Sequence, residues 1–76
     1  MKITIYTTQS CPFCKMVKEY LNSKGVAYTE IDVSNNPEKA AEAEKLSGMR
    51  AVPVVEIGEV IILGFDKEKI DEALSH

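Results

Sequence analysis

The chain has few residues that could form a metal site or a disulfide framework. Its 76 residues include two cysteines and one histidine, and that histidine, His76, is the last residue. A tetrahedral zinc site needs four ligands, so the composition argues against an internal metal site. Small secreted domains that depend on disulfides usually carry several cysteine pairs. The single pair, Cys11 and Cys14, therefore indicates another use of the thiols.

The chain also lacks a long apolar run and an excess of basic charge. No apolar stretch approaches the roughly 20 residues of a membrane-spanning helix, and the N-terminal segment turns polar too early for a signal peptide. Nine basic against twelve acidic residues give a formal charge of −3, which argues against nucleic acid as the main partner. We expect one small cytoplasmic domain spanning residues 1–76, monomeric and without a membrane partner.

The two cysteines belong to the segment Cys11-Pro12-Phe13-Cys14, which follows a strand-like run and opens a helix-like run. One helical turn brings such thiols together, so one can attack a disulfide and the other can resolve the mixed disulfide. Cys11 lies at the expected helix N-terminus, where unpaired N–H groups and the helix dipole favour a negative sulfur. Pro12 suits the first helical turn and keeps it rigid. A structural disulfide here would close too short a loop to stabilise much.

The order of elements predicts an α/β fold. Alternating and β-branched residues indicate strands, and asparagine, aspartate, proline and glycine mark the starts and ends of helices. The predicted strands are residues 2–6, 26–33, 52–57 and 59–63, and the predicted helices begin at Pro12, at Pro37 and after Asp66. The order is βαβαββα. A leading βαβ unit requires parallel strands, and Gly58 suits a hairpin between the last two strands.

Three segments in this order resemble the glutaredoxin family of the thioredoxin superfamily. They are Tyr6-Thr7 through Cys14, Ala51-Val52-Pro53, and Gly64-Phe65-Asp66. The resemblance covers nearly the whole chain and implies a thioredoxin-like fold, in which helices flank a four-stranded mixed sheet. It also implies that Cys11 is the exposed nucleophile and Cys14 the resolving thiol, with Phe13 exposed beside them.

The resemblance also implies a substrate site around the cysteines. Pro53 would follow a cis peptide bond beside the thiols, and Val52 would offer backbone hydrogen bonds to an extended substrate or to glutathione. Gly64 and Asp66 would hold the γ-glutamyl end of glutathione. From the residues alone, Pro53 could instead be an ordinary strand-edge proline, and Gly64 and Asp66 could be a loop and a helix N-cap.

The sequence departs from the usual glutaredoxin pattern at several glutathione contacts. Thr8 stands where lysine is frequent, Ala51 stands where threonine is common, and the double glycine and paired aspartates are reduced to residues 63–67. A glycine followed by phenylalanine at this place is similar to redoxins that serve ribonucleotide reductase and are reduced by thioredoxin reductase. Those redoxins usually lack a proline after the first cysteine.

We therefore expect a dithiol–disulfide oxidoreductase that reduces protein disulfides or glutathione mixed disulfides, with no tightly bound cofactor. Glutathione or thioredoxin reductase would supply the electrons. Two alternatives stay open. One is a redoxin that donates electrons to ribonucleotide reductase, and the other is a glutaredoxin that binds an iron–sulfur cluster.

Overall fold

The structure, a computed structural model, describes residues 2–49 and 52–75. Four strands and three helices alternate in these ranges in the predicted βαβαββα order. They are β1 (Ile3–Thr7), α1 (Pro12–Ser23), β2 (Thr29–Asp32), α2 (Pro37–Ser47), β3 (Val54–Ile57), β4 (Val60–Leu63) and α3 (Lys67–Leu74). None of the helices in the described ranges is long and apolar enough to cross a membrane.

The helices begin and end where the sequence provides caps. Asn36 caps α2 by accepting a hydrogen bond from the Lys39 N–H at 3.2 Å, and Asp66 caps α3 through the Lys69 N–H at 3.2 Å. Each satisfies a donor that the first helical turn leaves without a partner. Gly48 ends α2 in the left-handed conformation (φ 76°), which costs glycine little.

The four strands form one mixed sheet in the order β2-β1-β3-β4. The central strand β1 runs parallel to β2 and antiparallel to β3, and β3 is antiparallel to β4. The parallel pair, the antiparallel hairpin and the thioredoxin-like fold are as predicted. The C-terminal end of β1 leads directly into the loop that carries the cysteines.

The sheet has a hydrophobic core on each face. Val17 and Leu21 of α1 pack on one face together with Ile70 and Ala73 of α3. The opposite face is covered by α2, whose Ala43 belongs to the second cluster. Alternate residues of β1 supply both clusters, because successive side chains of a strand point to opposite faces.

The second strand is shorter than predicted. Residues 26–33 read as one strand, but β2 contains only Thr29–Asp32. The Val26 N–H instead donates to the Leu21 carbonyl at 3.3 Å, which completes the end of α1. Val26 and Tyr28 nevertheless pack partly buried against the core. These two residues are apolar because they are partly buried in the connection between α1 and β2, and they do not belong to the strand.

Two further boundaries and one core residue also differ from prediction. The third strand begins at Val54 rather than residue 52, because Pro53 has no N–H to donate to a ladder. The fourth begins at Val60 rather than residue 59, after the turn at Gly58. The sequence spacing of Met16, Val17, Tyr20 and Leu21 predicts one apolar face of α1. Met16 is nevertheless exposed, because Cys14, Val17 and Leu21 form the buried stripe.

We predict that Leu21→Ala lowers the free energy of unfolding by about 3 kcal/mol, the middle of the range for a leucine removed from a close-packed core. Leu21 is 0% exposed on α1, whereas Leu46 on α2 is 39% exposed. Leu46→Ala is the matched control, and it should change stability by less than about 1 kcal/mol. Urea denaturation at equal m-value provides the measurement, and equal losses in the two variants would contradict this description of the core.

Candidate active site

The first cysteine is itself the cap of a helix. Cys11 has extended backbone angles (φ −100°, ψ 108°) and is the N-cap of α1, followed by Pro12 in the first turn. Its Sγ accepts a hydrogen bond from the Cys14 N–H at 3.2 Å. Pro12 has no N–H to donate. The Cys14 N–H is one of the first-turn donors without a partner inside the helix, and it points at the sulfur. The sequence Cys-Pro-Phe-Cys thereby ties the two cysteines together through the helix start.

The two thiols are both free but occupy different environments. Cys11 is half-buried, whereas Cys14 is only 1% exposed. Burial raises the pKa of the Cys14 thiol from 9.0 to about 12, and its hydrogen bond with Cys11 acts in the same direction. A thiolate in an apolar environment loses its hydration, which explains the sign. Cys14 therefore keeps its proton at neutral pH.

The segment before β3 contributes Val52 and Pro53 to the site. The Val52–Pro53 peptide bond is cis, which is the geometry implied by the resemblance. The Val52 carbonyl oxygen lies 3.9 Å from Cys11 Sγ, within reach of a weak hydrogen bond from the thiol. The Pro53 side chain is fully buried. A residue 41 positions along the chain is thus brought against the first thiol.

The segment Gly64-Phe65-Asp66 contacts the site through the backbone of Pro53. Gly64 adopts a positive φ of 73°, and its N–H donates to the Pro53 carbonyl at 3.0 Å. Asp66 uses one carboxylate oxygen to cap α3. The structure therefore supports the simpler interpretation of these two residues as loop and N-cap, and any contact with a ligand is an additional role.

Phe13 extends from the first turn of α1 with 57% of its surface exposed. Ala51 and His76 lie outside the described residues. The structure thus brings Cys11, Cys14, Val52, Pro53 and Gly64 into one chain of contacts. Neither Phe13 nor Asp66 belongs to that chain of contacts.

Comparison with known proteins agrees with this geometry. The sequence model of the family described as Glutaredoxin matches residues 3–62. The chain belongs to the glutaredoxin family. It is 40% identical over 72 residues to an uncharacterized glutaredoxin-like 8.6 kDa protein encoded in the rubredoxin operon of Clostridium pasteurianum, covering 95% of this chain and 96% of that protein.

Solved glutaredoxin-like structures share the complete fold. The crystal structure of a glutaredoxin from Archaeoglobus fulgidus superposes with a TM-score of 0.91 at 28% identity, over 99% of this chain and 87% of that one. The glutaredoxin-like NrdH-redoxin of Escherichia coli, described as having a thioredoxin-like activity profile, superposes with a TM-score of 0.83 at 38% identity. That match covers 95% of this chain and 93% of the redoxin. This protein is accordingly a redox protein of the glutaredoxin and redoxin type.

Two depressions flank the cysteines of this glutaredoxin. A polar cavity of about 550 Å³ lies between the loop 7–12, α1 and β2, and its wall includes Cys11, Lys18 and Glu30. An apolar groove of about 290 Å³ lies on the side of α2, where Ala40, Met49 and Val52 line it. Both depressions touch Thr8, so the cysteine loop separates a polar compartment from an apolar one.

Sequence reasoning missed the charged pair in the polar cavity. The Lys18 Nζ lies 2.9 Å from Glu30 Oε2, and the Thr7 hydroxyl donates to the same oxygen at 2.9 Å. The four-residue spacing from Cys14 to Lys18 was available in the sequence as a signal. Glu30 was not, because only the parallel pairing of β1 and β2 sets it beside Thr7.

Within residues 2–49 and 52–75, no group of three or more His, Cys, Asp or Glu side chains is arranged to hold a metal ion. An iron–sulfur cluster at this site would need ligands beyond Cys11 and Cys14. The hypothesis of a cluster-binding glutaredoxin therefore requires ligands from outside residues 2–49 and 52–75.

We predict that the reduced glutaredoxin loses a contribution to its stability as the pH rises from about 9 towards 12. The folded state holds the Cys14 proton up to about pH 12, whereas the unfolded chain releases it near pH 8.5, so alkaline pH favours unfolding. Cys14→Ala is the control, because it removes this titration and keeps the others.

Urea denaturation under a thiol reductant provides the measurement. The stability difference between the wild type and Cys14→Ala should be constant at neutral pH and should fall steadily above about pH 9. A difference that stays constant through this alkaline range would mean that Cys14 is not held as a buried neutral thiol.

Proposed function

We propose that this protein is a dithiol–disulfide oxidoreductase that reduces disulfides of other proteins, with Cys11 as nucleophile and Cys14 as resolving thiol. The observation that carries the proposal is the difference in solvent accessibility between the two thiols. Cys11 is accessible and accepts an N–H hydrogen bond from the first turn of α1, whereas Cys14 is buried with a pKa of about 12. Only the accessible sulfur can meet a disulfide on another protein.

In the first step, the Cys11 thiolate attacks one sulfur of the substrate disulfide. A bond forms between that sulfur and Cys11 Sγ, the substrate S–S bond breaks, and the other substrate sulfur leaves as a thiolate that takes a proton from water. The Cys14 N–H, 3.2 Å from Cys11 Sγ, stabilises negative charge on the attacking sulfur. The α1 dipole acts in the same direction.

In the second step, Cys14 transfers its proton to water and attacks Cys11 Sγ. A Cys11–Cys14 disulfide forms, the mixed disulfide breaks, and the second substrate sulfur leaves with the bonding electrons. The substrate has then gained two electrons and the protein has lost two. The helical turn that joins the cysteines makes this step intramolecular, so it proceeds without a further encounter.

Val52 is the proposed docking point for the substrate backbone. It is half-buried, it precedes β3, and it lies outside the ladders that β3 forms with its two neighbours. An extended peptide that pairs with Val52 would run past Cys11, whose sulfur lies 3.9 Å from the Val52 carbonyl oxygen. Main-chain pairing of this kind gives affinity without demanding a particular side chain.

A reductase of the thioredoxin-reductase type is the electron source that we favour over glutathione. Three positions expected to contact glutathione are weak or engaged elsewhere in this chain. Thr8 brings no positive charge to the cysteine loop, the Gly64 N–H is bonded to Pro53, and Asp66 caps α3. The similarity to the Escherichia coli redoxin over nearly its whole length supports the same choice. Service to ribonucleotide reductase would fit this class of electron donor and is the second candidate function.

We predict that Cys11→Ser abolishes disulfide reductase activity, because Cys14 is too buried to replace the lost nucleophile. Cys14→Ser should instead accumulate a mixed disulfide on Cys11, since no second thiol releases it. Turnover of a small protein disulfide and mass spectrometry of the non-reduced mixture measure the two results. Ser10→Ala, one residue before Cys11, is the control and should retain turnover. Full activity of Cys11→Ser would refute the assignment.

We predict that thioredoxin reductase with NADPH reduces the oxidised protein at least about tenfold faster than glutathione with glutathione reductase does. The gain-of-function variant Thr8→Lys should raise the glutathione rate by roughly tenfold, since one charge-assisted hydrogen bond contributes about 1.5–3 kcal/mol. Consumption of NADPH measures both rates. Faster reduction of the wild type by glutathione would reverse the choice of reductant without affecting the roles of the cysteines.

A further inference from the structure

The resolving step faces an electrostatic obstacle at Cys14. The thiol is 1% exposed, and burial raises its pKa to about 12, yet it must become a thiolate before it can attack. A positive charge held close to the sulfur would lower this cost, whereas a mobile charge in solvent would do so only weakly. A cation that is held in place near Cys14 would therefore assist the resolving step most.

Lys18 has the required position on the helix. It follows Cys14 by four residues on α1, a spacing that leaves about 5–6 Å between Cβ atoms on one helix face. Its charge lowers the pKa of Cys14, and the charge of a Cys14 thiolate raises the pKa of Lys18 in return. Lys18 therefore remains a cation throughout the physiological range.

The side chain of Lys18 is also held rather than free in solvent. Its Nζ lies 2.9 Å from Glu30 Oε2, and the pair is about one-third exposed, with side-chain values of 31% and 38%. The Thr7 hydroxyl donates to the same oxygen at 2.9 Å, and Thr7 is 1% exposed at the end of β1. A lysine without such a partner extends its amine into water. Here a buried residue of the sheet anchors Glu30, and Glu30 anchors Lys18.

We propose that Lys18, held by Glu30 and Thr7, is a positioning residue that stabilises the Cys14 thiolate during release of the mixed disulfide. The inference rests on the proposed function, because it concerns the second step of that reaction. Neither the resemblance nor the comparisons assign a role to this charged pair.

Other charged and polar groups also affect the pKa of Cys14, of Lys18 or of Glu30. Glu30 and Asp32 on β2 and Tyr28 before β2 act on Lys18 or on its partner, and Cys11 acts on Cys14 itself. A backbone hydrogen bond from Thr8 lowers the pKa of Cys14, as the Lys18 charge does. Since Glu30 partly offsets the charge of Lys18, we expect an effect at the lower end of the range for an opposite charge nearby.

In this step the substrate R–S is attached to Cys11 as a mixed disulfide. The Cys14 thiol transfers its proton to water. Cys14 Sγ then forms a bond with Cys11 Sγ as the Cys11–SR bond breaks. R–S⁻ leaves with the electron pair and is protonated by solvent.

The test is a single-turnover reaction of the fully reduced, full-length protein with 4,4′-dithiodipyridine, a neutral disulfide. Release of the first thiopyridone reports attack by Cys11 and depends on probe concentration. Release of the second thiopyridone reports attack by Cys14 and does not depend on probe concentration. Stopped-flow absorbance would record both phases across a pH series for the wild type, Lys18→Met, Lys18→Arg and Lys24→Met.

Lys18→Met should slow the second phase about tenfold at neutral pH and move the midpoint of its pH profile up by about one unit. The first phase should change by less than about threefold, since Cys11 precedes Lys18 by seven residues along the chain whereas Cys14 precedes it by only four. Lys18→Arg should restore the wild-type profile, because arginine keeps the charge and can pair with Glu30. Lys24→Met is the matched control. Lys24 is the C-cap of α1 and pairs with Asp71 at 3.3 Å, far along the helix from the thiols, so its profile should be unchanged.

An unshifted second-phase profile in Lys18→Met would overturn the proposal, as would an equal shift in Lys24→Met. A shift that Lys18→Arg fails to reverse would also overturn it, because the loss would then not be one of charge. Failure of the proposed function has a different signature. In that case the wild type would lack a second phase, or Cys14→Ser would retain it.

Discussion

The hydrogen bond from the Cys14 N–H to Cys11 Sγ, 3.2 Å long, links the start of a helix to the chemistry of the chain. It makes a sulfur the N-cap of α1, a position usually occupied by an oxygen of serine, threonine, asparagine or aspartate. Cys11, the residue before the first turn, is half-buried. Cys14, one turn later, lies on the buried stripe with Val17 and Leu21. The helix start thus holds the two thiols one turn apart, and burial of Cys14 against the sheet makes them different.

The sheet determines what surrounds this helix start. The loop that carries Cys11 leaves the C-terminal end of β1, which is paired with β2 on one side and β3 on the other, so its position is set by both strands. From the side of β3, the cis Val52–Pro53 bond brings the Val52 carbonyl oxygen against the first thiol. From the side of β2, Glu30 accepts hydrogen bonds from Thr7 and Lys18, and the charge of Lys18 lowers the pKa of Cys14.

Much of the fold was predictable because it depends on local signals. Asn36 and Asp66 cap the helices that they were expected to cap, and Gly48 ends α2 as a left-handed residue. The predictions failed where hydrogen bonding between distant segments decides the outcome. Val26 looked like a strand residue, but its N–H completes the end of α1. Met16 had the spacing of a core residue, but the sheet takes the neighbouring stripe of the helix.

Three features can be read from the sequence alone: the element order, the helix start at the cysteine pair and the membership of the glutaredoxin family. They follow from residue types at short spacing, where caps, prolines and helical periodicity act within a few residues. Tertiary contacts, by contrast, produce the difference between the two thiols, the contact of Val52 with Cys11 and the anchoring of Lys18 through Glu30 to Thr7. Burial and strand pairing join residues that are far apart along the chain. A change of solvent environment, rather than of residue type, makes two identical side chains chemically different.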